Sequence, residues 1–473
     1  MDQKHLYING EWVKASSYTP LYSPYNRSLI TEVAEANAEE TKQAITAAYE
    51  AKETMRAMPA HQRASILEKL ASLLEQRSEE AAQLIALEGA KPIQAARTEI
   101  GRTVETYKFA AEEAKRIHGE TIPLDASVSG EGRIAYTVKE PVGVVGAITP
   151  FNFPMNLVAH KVGPALAAGN TVVLKPAEQT PLSSFLLAEL LQEAGLPAGV
   201  LNVVTGDGKV VGDTIVTDER VKALSFTGSP GVGISIRSKA GLKKVTLELG
   251  SNSGLIIDRD TDIPAMIKRA VSGAFGNQGQ VCISIQRIYV HQEIFEAFVA
   301  QFVEATRALK LGDPMNEDTD VSAMIAPKEQ TRAIEWIEEA VSQGAEIAYG
   351  GTVENDLLLP TVLLRVHPEV RVACKEVFAP IVMINPVADM EEAIREVNRS
   401  DYGLQAGIYT QQLQTAFHAA EKLEVGGVIV NDIPSFRVDH MPYGGVKQSG
   451  IGREGIKYAL EEMLETKLVV FKK

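Results

Sequence analysis

The chain of 473 residues is 45% hydrophobic and 23% charged, with 47 basic residues against 61 acidic ones for a formal net charge of −14. Its length predicts roughly three structural units, its composition excludes a disordered or fibrous chain, and the acidic balance without a Lys/Arg run argues against a nucleic-acid partner. No stretch approaches the roughly 20 apolar residues of a membrane span, MDQKHLYINGEW has no basic region leading an apolar run, and two cysteines make no disulfide framework, so a reducing cytoplasm is the expected setting.

Residues of about 35–117 carry Ala, Glu, Lys and Leu at helical spacing, as in EETKQAITAAYEAKETM and RASILEKLASLLEQRSEEAAQLI, and predict helices packed on the first unit. From about residue 141 short apolar runs alternate with helical patterns. VGVVGAI, a segment through Leu166, NTVVLKP, a helix from near Pro181, VLNVVTG, a helix near 209–217, ALSFTGS, a short helix after Gly231 and VTLELG follow in turn. Buried strands flanked by helices predict a mostly parallel, doubly wound sheet. A second α/β series begins after about residue 254 with GLIIDRD, continues through IQRIYVH and ends near GGVIVND. RIAYTVKEP and LETKLVVFKK read as strands outside both units, with the charged flanks of exposed edges, free to pair with each other or with a partner subunit.

Candidate chemistry collects at strand ends. TPFNFP puts Asn152 after the first strand of the doubly wound unit, where open α/β sheets bind ligands. An amide there can donate to an oxyanion; alone it is equally a turn residue between prolines. LKPAEQ offers Lys175 and Glu178 to a ribose diol, or only ordinary charges to a solvated loop. FTGSPGVG opens a helix with Gly228, Gly231 and Gly233, whose amides can face a phosphate, although such turns are common as mere geometry. Glu248 ends VTLELG, and Cys282 closes GNQGQVC in a frame of small residues and Gln280 that reads as a presented thiol. A carboxylate and a thiol so placed can meet across an interdomain cleft. KEVFAPI supplies Glu376 and Phe378, which suit a ribose and a nicotinamide ring or simply a strand-entry turn; Cys374 reads as a small buried residue.

TPFNFP, LKPAE, FTGS, LELG, GQVC, EVFAP and PYGGVKQSGIGREG follow one another in the order found in the aldehyde dehydrogenase superfamily, which the chain resembles over nearly its whole length. The resemblance implies an α/β fold with a doubly wound NAD-binding domain (1–118 and 139–250), an α/β catalytic domain (251–454) and a small β oligomerisation arm (119–138 and 455–473). It implies Cys282 as nucleophile, Asn152 with the Cys282 amide as oxyanion hole, and Glu248 as the base that brings water to a thioester. Lys175 and Glu178 would hold the adenosine ribose, Gly228 and Ser229 would lie beside the pyrophosphate, and Glu376 would take the nicotinamide ribose, with Gly206, Phe226, Gly233, Leu249 and Phe378 completing the cofactor site. Glu178 favours NAD, with NADP possible, since a carboxylate accepts from a 2′-hydroxyl and repels a 2′-phosphate. No metal is implied. Two departures stand out: Ser251 where a second glycine is usual, and Val281 and Ile283 around the nucleophile.

ELGSNS, GQVCISIQR and SFRVDHMPYGG resemble the branch that acts on short oxygenated aldehydes, including lactaldehyde, phosphonoacetaldehyde and sulfolactaldehyde dehydrogenases. That resemblance implies Arg102, His160, Arg287 and Arg437 as a substrate cluster able to grip an anionic group, the alternative being that Arg287 braces its strand and His160 sits on a satisfied helix face. Non-phosphorylating glyceraldehyde-3-phosphate or succinic semialdehyde oxidation, and a catalytically silent structural or ligand-binding member of the fold, are the competing readings. A homodimer or homotetramer, with no membrane or nucleic-acid partner, is expected.

Overall fold

In the computed structural model, which describes residues 3–473, the chain forms two α/β units and a small β arm. The first sheet runs, from edge to edge, Gly450–Ile451, Lys244–Glu248, Val221–Thr227, Val144–Ile148, Thr171–Lys175, Leu201–Val203, Leu6–Ile8 and Glu11–Val13. Its five central strands are parallel, and the strands at both edges are antiparallel. The chain order reverses between Val144–Ile148 and Val221–Thr227. This is where a doubly wound sheet opens a crevice at its carboxyl ends.

Helices cover both faces because nearly every residue of the central strands is buried. Ala38–Ala57 starts at a capping box, in which Asn37 Oδ1 accepts from the Glu39 and Glu40 amides and Glu40 returns the bond to the Asn37 amide. Ala60–Gln76, Ser78–Gly89 and Ile93–Ala114 complete the helical region expected for 35–117. Asn156–Ala168 is buried along its full length, including His160 and Lys161. Its first amides, Met155 and Asn156, bond Glu99 Oε1, an acceptor at the positive end of a helix.

The second sheet has the order Glu346–Tyr349, Thr361–Leu364, Ile381–Val387, Arg287–His291, Gly254–Ile257, Gln405–Tyr409 and Gly427–Val430, parallel except at the first edge. In the arm, Leu464–Lys472 pairs antiparallel with Arg133–Pro141 along its whole length, and Thr121–Ile122 adds a short third strand. Two segments sit across the expected bounds. Gly450–Ile451, inside 251–454, hydrogen-bonds the first sheet, and Ile456–Glu462, inside 455–473, is a helix packed on Asn156–Ala168 and Ile93–Ala114. Among the described residues no helix is long and apolar enough to cross a membrane.

Candidate active site

A cavity of about 490 Å³ lies at the strand-order reversal and is bounded by Asn152, Gly228, Gln280, Cys282, Glu376 and Phe378, among others. Cys282 reaches it from a tight elbow. Asn277, Gln278 and Gly279 all take left-handed φ values of 51°, 57° and 68°, which for the two side-chain-bearing residues stores about 1–3 kcal/mol each. The elbow is pinned: Gln278 donates to the carbonyls of Ala90 and Ala323, and a Cβ at Gly279 would lie 2.1 Å from the Ala379 carbonyl oxygen. Asn152 Nδ2 donates to the Gln280 carbonyl at 3.0 Å, which leaves its second N–H available beside the cysteine.

Burial pushes the Cys282 thiol up to about 11. The Tyr443 hydroxyl, 2.9 Å from the sulfur, and the charge of Arg437 oppose this, whereas Glu376 and Glu248 add to it. Glu248 sits at the end of its strand, with neither carboxylate oxygen hydrogen-bonded among the described residues. Burial and the nearby charge of Glu454 raise its pKa well above the usual carboxylate range. Glu454 is the opposite case. It accepts from Lys161 at 2.8 Å and Arg437 at 3.0 Å, and these cations hold it ionised despite its burial.

Behind the cysteine the ion pairs continue. Arg102 donates twice to Asp439, at 2.7 and 3.2 Å, and Asn156 adds a bond at 3.1 Å. His160 Nε2 lies 2.8 Å from Asp439 and 3.1 Å from Arg437. One ring nitrogen cannot donate and accept at once, so the shorter contact to the ionised Asp439 takes the proton. Burial and Arg437 lower the His160 pKa, while Asp439 falls below its ordinary value through His160 and Arg102.

On its other side the cavity runs to Gly228 and Ser229, which precede the helix Pro230–Lys239. Glu376 accepts the Ser251 amide at 2.9 Å, and burial pushes it up to about 7. A second cavity of about 140 Å³ is bounded by Glu178 and Gly206. Lys175 is buried at its strand end, its ammonium 3.3 Å from the Pro176 carbonyl and 3.7 Å from Glu178.

The aldehyde dehydrogenase family model matches residues 12–469. The chain belongs to the aldehyde dehydrogenase family. A 3-sulfolactaldehyde dehydrogenase of Priestia megaterium is 49% identical over 99% of this chain and 98% of its own. A lactaldehyde dehydrogenase of Methanococcus aeolicus is 42% identical over 98% and 99% respectively. The crystal structure of the glyceraldehyde-3-phosphate dehydrogenase GapN of Methanocaldococcus jannaschii, complexed with NADP, superposes with a TM-score of 0.93 at 40% identity, covering 97% of this chain and 100% of that one. The protein is an NAD(P)-dependent aldehyde dehydrogenase.

The dehydrogenase's own residues fit the dinucleotide. A buried lysine with spare N–H donors beside a carboxylate suits a ribose diol, and the helix opening at Ser229 suits a phosphate. Phe226 lies in its strand with its ring under Gly228, and Gly233 packs against Leu249. Of the four expected substrate residues, Arg102, His160 and Arg437 share one network through Asp439 and Glu454, and none of the three borders the cavity. Arg287 does not join them. Its guanidinium bonds the carbonyls of Asn252, Glu396 and Val397 and borders a separate cavity, so it braces its strand and leaves the substrate group.

Sequence reading passed over Tyr443, Asp439, Glu454 and Lys161. All but Lys161 fall inside SFRVDHMPYGG and PYGGVKQSGIGREG, motifs whose spacing does not show which side chains meet. Lys161 is adjacent to His160 on a helix that is otherwise almost wholly apolar and is buried along its full length.

Proposed function

We propose that the dehydrogenase oxidises a short hydroxylated or anionic aldehyde, of lactaldehyde or sulfolactaldehyde type, to its carboxylic acid through Cys282. The gathering of Asn152, Cys282 and Glu376 around one cavity, with Glu248 near enough to be felt by the thiol, carries this reading. The Cys282 thiolate forms a bond to the aldehyde carbon, and the carbonyl π pair moves onto oxygen. Asn152 Nδ2 and the Cys282 amide receive that oxyanion; losing one such donor costs about 100- to 1000-fold in rate. NAD(P), when bound, supplies the acceptor for the hydride leaving the same carbon. Glu248 then takes a proton from water, whose oxygen attacks the thioester and frees the sulfur. A buried carboxylate with a raised pKa is a stronger base than an exposed one, which suits this step.

The cofactor is held, in this proposal, by Lys175 and Glu178 at the adenosine ribose, by Gly228 and Ser229 at the pyrophosphate and by Glu376 at the nicotinamide ribose, with Gly206, Phe226, Gly233, Leu249 and Phe378 around it. Glu178 favours NAD over NADP. Arg102, His160 and Arg437, bonded to Asp439 and Glu454 behind the cavity, favour a substrate with an oxygenated or anionic end through their positive charge, a reading supported by the similarity to a 3-sulfolactaldehyde dehydrogenase. The exposed apolar residues of the arm, among them Ile134, Leu468 and Phe471, support a homodimer or homotetramer, and two free cysteines suit the cytoplasm.

The test is an initial-rate panel with NAD and NADP over lactaldehyde, sulfolactaldehyde, phosphonoacetaldehyde, glyceraldehyde-3-phosphate and succinic semialdehyde. Higher kcat/KM for sulfolactaldehyde or lactaldehyde than for the last two supports the reading, and the reverse order rejects it. Cys282→Ala abolishes aldehyde-dependent NAD(P)H formation; activity surviving that change would falsify the mechanism.

A further inference from the structure

The sulfur of Cys282 lies between two kinds of neighbour. Glu248 and Glu376 face it with negative charge, which disfavours a thiolate. The Tyr443 hydroxyl faces it at 2.9 Å, and the Arg437 guanidinium carbon stands 3.7 Å from the centroid of the Tyr443 ring. Neither neighbour is loosely placed. Tyr443 is 2% exposed, and its backbone amide and carbonyl are both tied to Glu454. Glu454 also holds Arg437 through a side-chain bond, with Lys161 on its second oxygen and His160 alongside.

A cation on the face of a phenol draws charge from the ring and makes its O–H a better donor. A buried thiolate needs such a donor, because removal from water otherwise favours the neutral thiol. We propose that Tyr443 is a catalytic residue that hydrogen-bonds the Cys282 thiolate, and that Arg437 is the positioning residue which fixes Tyr443 and strengthens it as a donor. The inference rests on Cys282 being the nucleophile. No proton passes between the two side chains. The thiol proton leaves through the cavity to water, Tyr443 keeps its own, and the sulfur's lone pair goes to the aldehyde carbon.

Hydrogen bonding to a nucleophile also blunts it, so magnitudes decide whether the arrangement helps. Lowering a thiol pKa by one unit raises the thiolate fraction about tenfold at neutral pH but cuts its intrinsic reactivity only about threefold. With burial pushing the thiol up to about 11, the gain in fraction wins.

The test follows iodoacetamide labelling of the Cys282 peptide by mass spectrometry from pH 6 to 11, on the full chain without cofactor. In Tyr443→Phe the labelling rate falls about threefold at each pH on the rising limb below the inflection, with labelling of Cys374 and the melting temperature as controls for fold. Arg437→Lys keeps the charge but loses the planar stack, and its rate falls between the two. A rate that is unchanged or higher in Tyr443→Phe overturns the proposal, since the hydroxyl would then be accepting from the thiol. Cys282→Ala separates the two failures. If that variant keeps dehydrogenase activity the nucleophile reading falls; if it is inactive while Tyr443→Phe labels like wild type, only the Tyr443 assignment falls.

Discussion

On the side proposed for the cofactor, the cavity beside Cys282 combines the backbone of Gly228, Ser229 and Gly250 with larger side chains, among them Phe378, Trp336 and the Arg332–Glu329 pair, and Glu376 is its buried carboxylate without a bonded cation. On its other side Cys282 meets Tyr443, and behind that ring stand long charged side chains from distant parts of the sequence, Arg102, His160, Lys161, Arg437, Asp439 and Glu454, bonded to one another and mostly buried. The carboxylates respond in opposite directions. Glu376 lacks a cation within bonding distance and rises to about 7, whereas Asp439 and Glu454 are paired and fall. A wall that must receive a ligand leaves its polar groups free, and a wall that must hold a nucleophile still uses its groups on itself.

Glu248 lies between the two walls and belongs to neither, and its replacement gives the largest effect. Glu248→Gln is expected to lower steady-state turnover by about 100- to 10,000-fold, while stopped-flow still shows a first-turnover burst of NAD(P)H, because only thioester hydrolysis needs the base. Loss of the burst would instead place Glu248 in the acylation step.

Glu454→Gln tests the self-bonded wall. It leaves Lys161 and Arg437 with one less buried countercharge, and breaking such a pair typically costs about 3–5 kcal/mol. Urea unfolding should show that loss. The same change removes the charge that helps raise Glu248, so the acid limb of the kcat profile moves to lower pH. A limb that does not move would show that burial alone sets the Glu248 pKa.

The unequal legibility of the two walls follows from how each is built. The cofactor wall is local: each strand hands its last residues to a loop, so Lys175, Glu178, Gly228 and Glu376 are readable from short motifs. The same logic gave the central parallel sheet and its flanking helices. The network wall depends on which side chains meet after residues hundreds apart are packed together, as Arg102 and Asp439 do. No local pattern distinguishes Arg437, which joins that network, from Arg287, which bonds the backbone carbonyls of Asn252, Glu396 and Val397. The reach of Tyr443 to Cys282 is equally non-local. The edge hairpin Leu6–Ile8 and Glu11–Val13 carries a local signal, since Asn9–Gly10 is a strong two-residue turn.

Gly250→Ala probes the ligand-receiving wall. A Cβ there would lie 2.3 Å from a Glu376 carboxylate oxygen, displacing the group that accepts the Ser251 amide. A displaced Glu376 would also lose its proposed charged hydrogen bond to the nicotinamide ribose, worth about 1.5–3 kcal/mol, so KM for the cofactor should rise by about one to two orders of magnitude. Iodoacetamide labelling of Cys282 should barely change, because the thiol's supporting groups lie on the other side.

The smallest effect is a slope. Glu376, with a pKa raised from 4.5 to about 7, contributes stability that is fully present below its ordinary value and lost as pH rises through 7. Asp439, held below its ordinary value, contributes stability present throughout that window and lost only in stronger acid. Between pH 4.5 and 7 the unfolding free energy of Glu376→Gln should therefore fall less steeply than that of wild type, by up to about 1.4 kcal/mol per pH unit. Asp439→Asn should lower stability at every pH in that window and move the slope only through His160, whose pKa Asp439 helps to hold up. Glu88, raised by burial to about 8, contributes a slope of the same sign in all three proteins and cancels from the comparison. If Asp439→Asn changed the slope more than Glu376→Gln did, the assignment of free and self-bonded carboxylates to the two walls would be reversed.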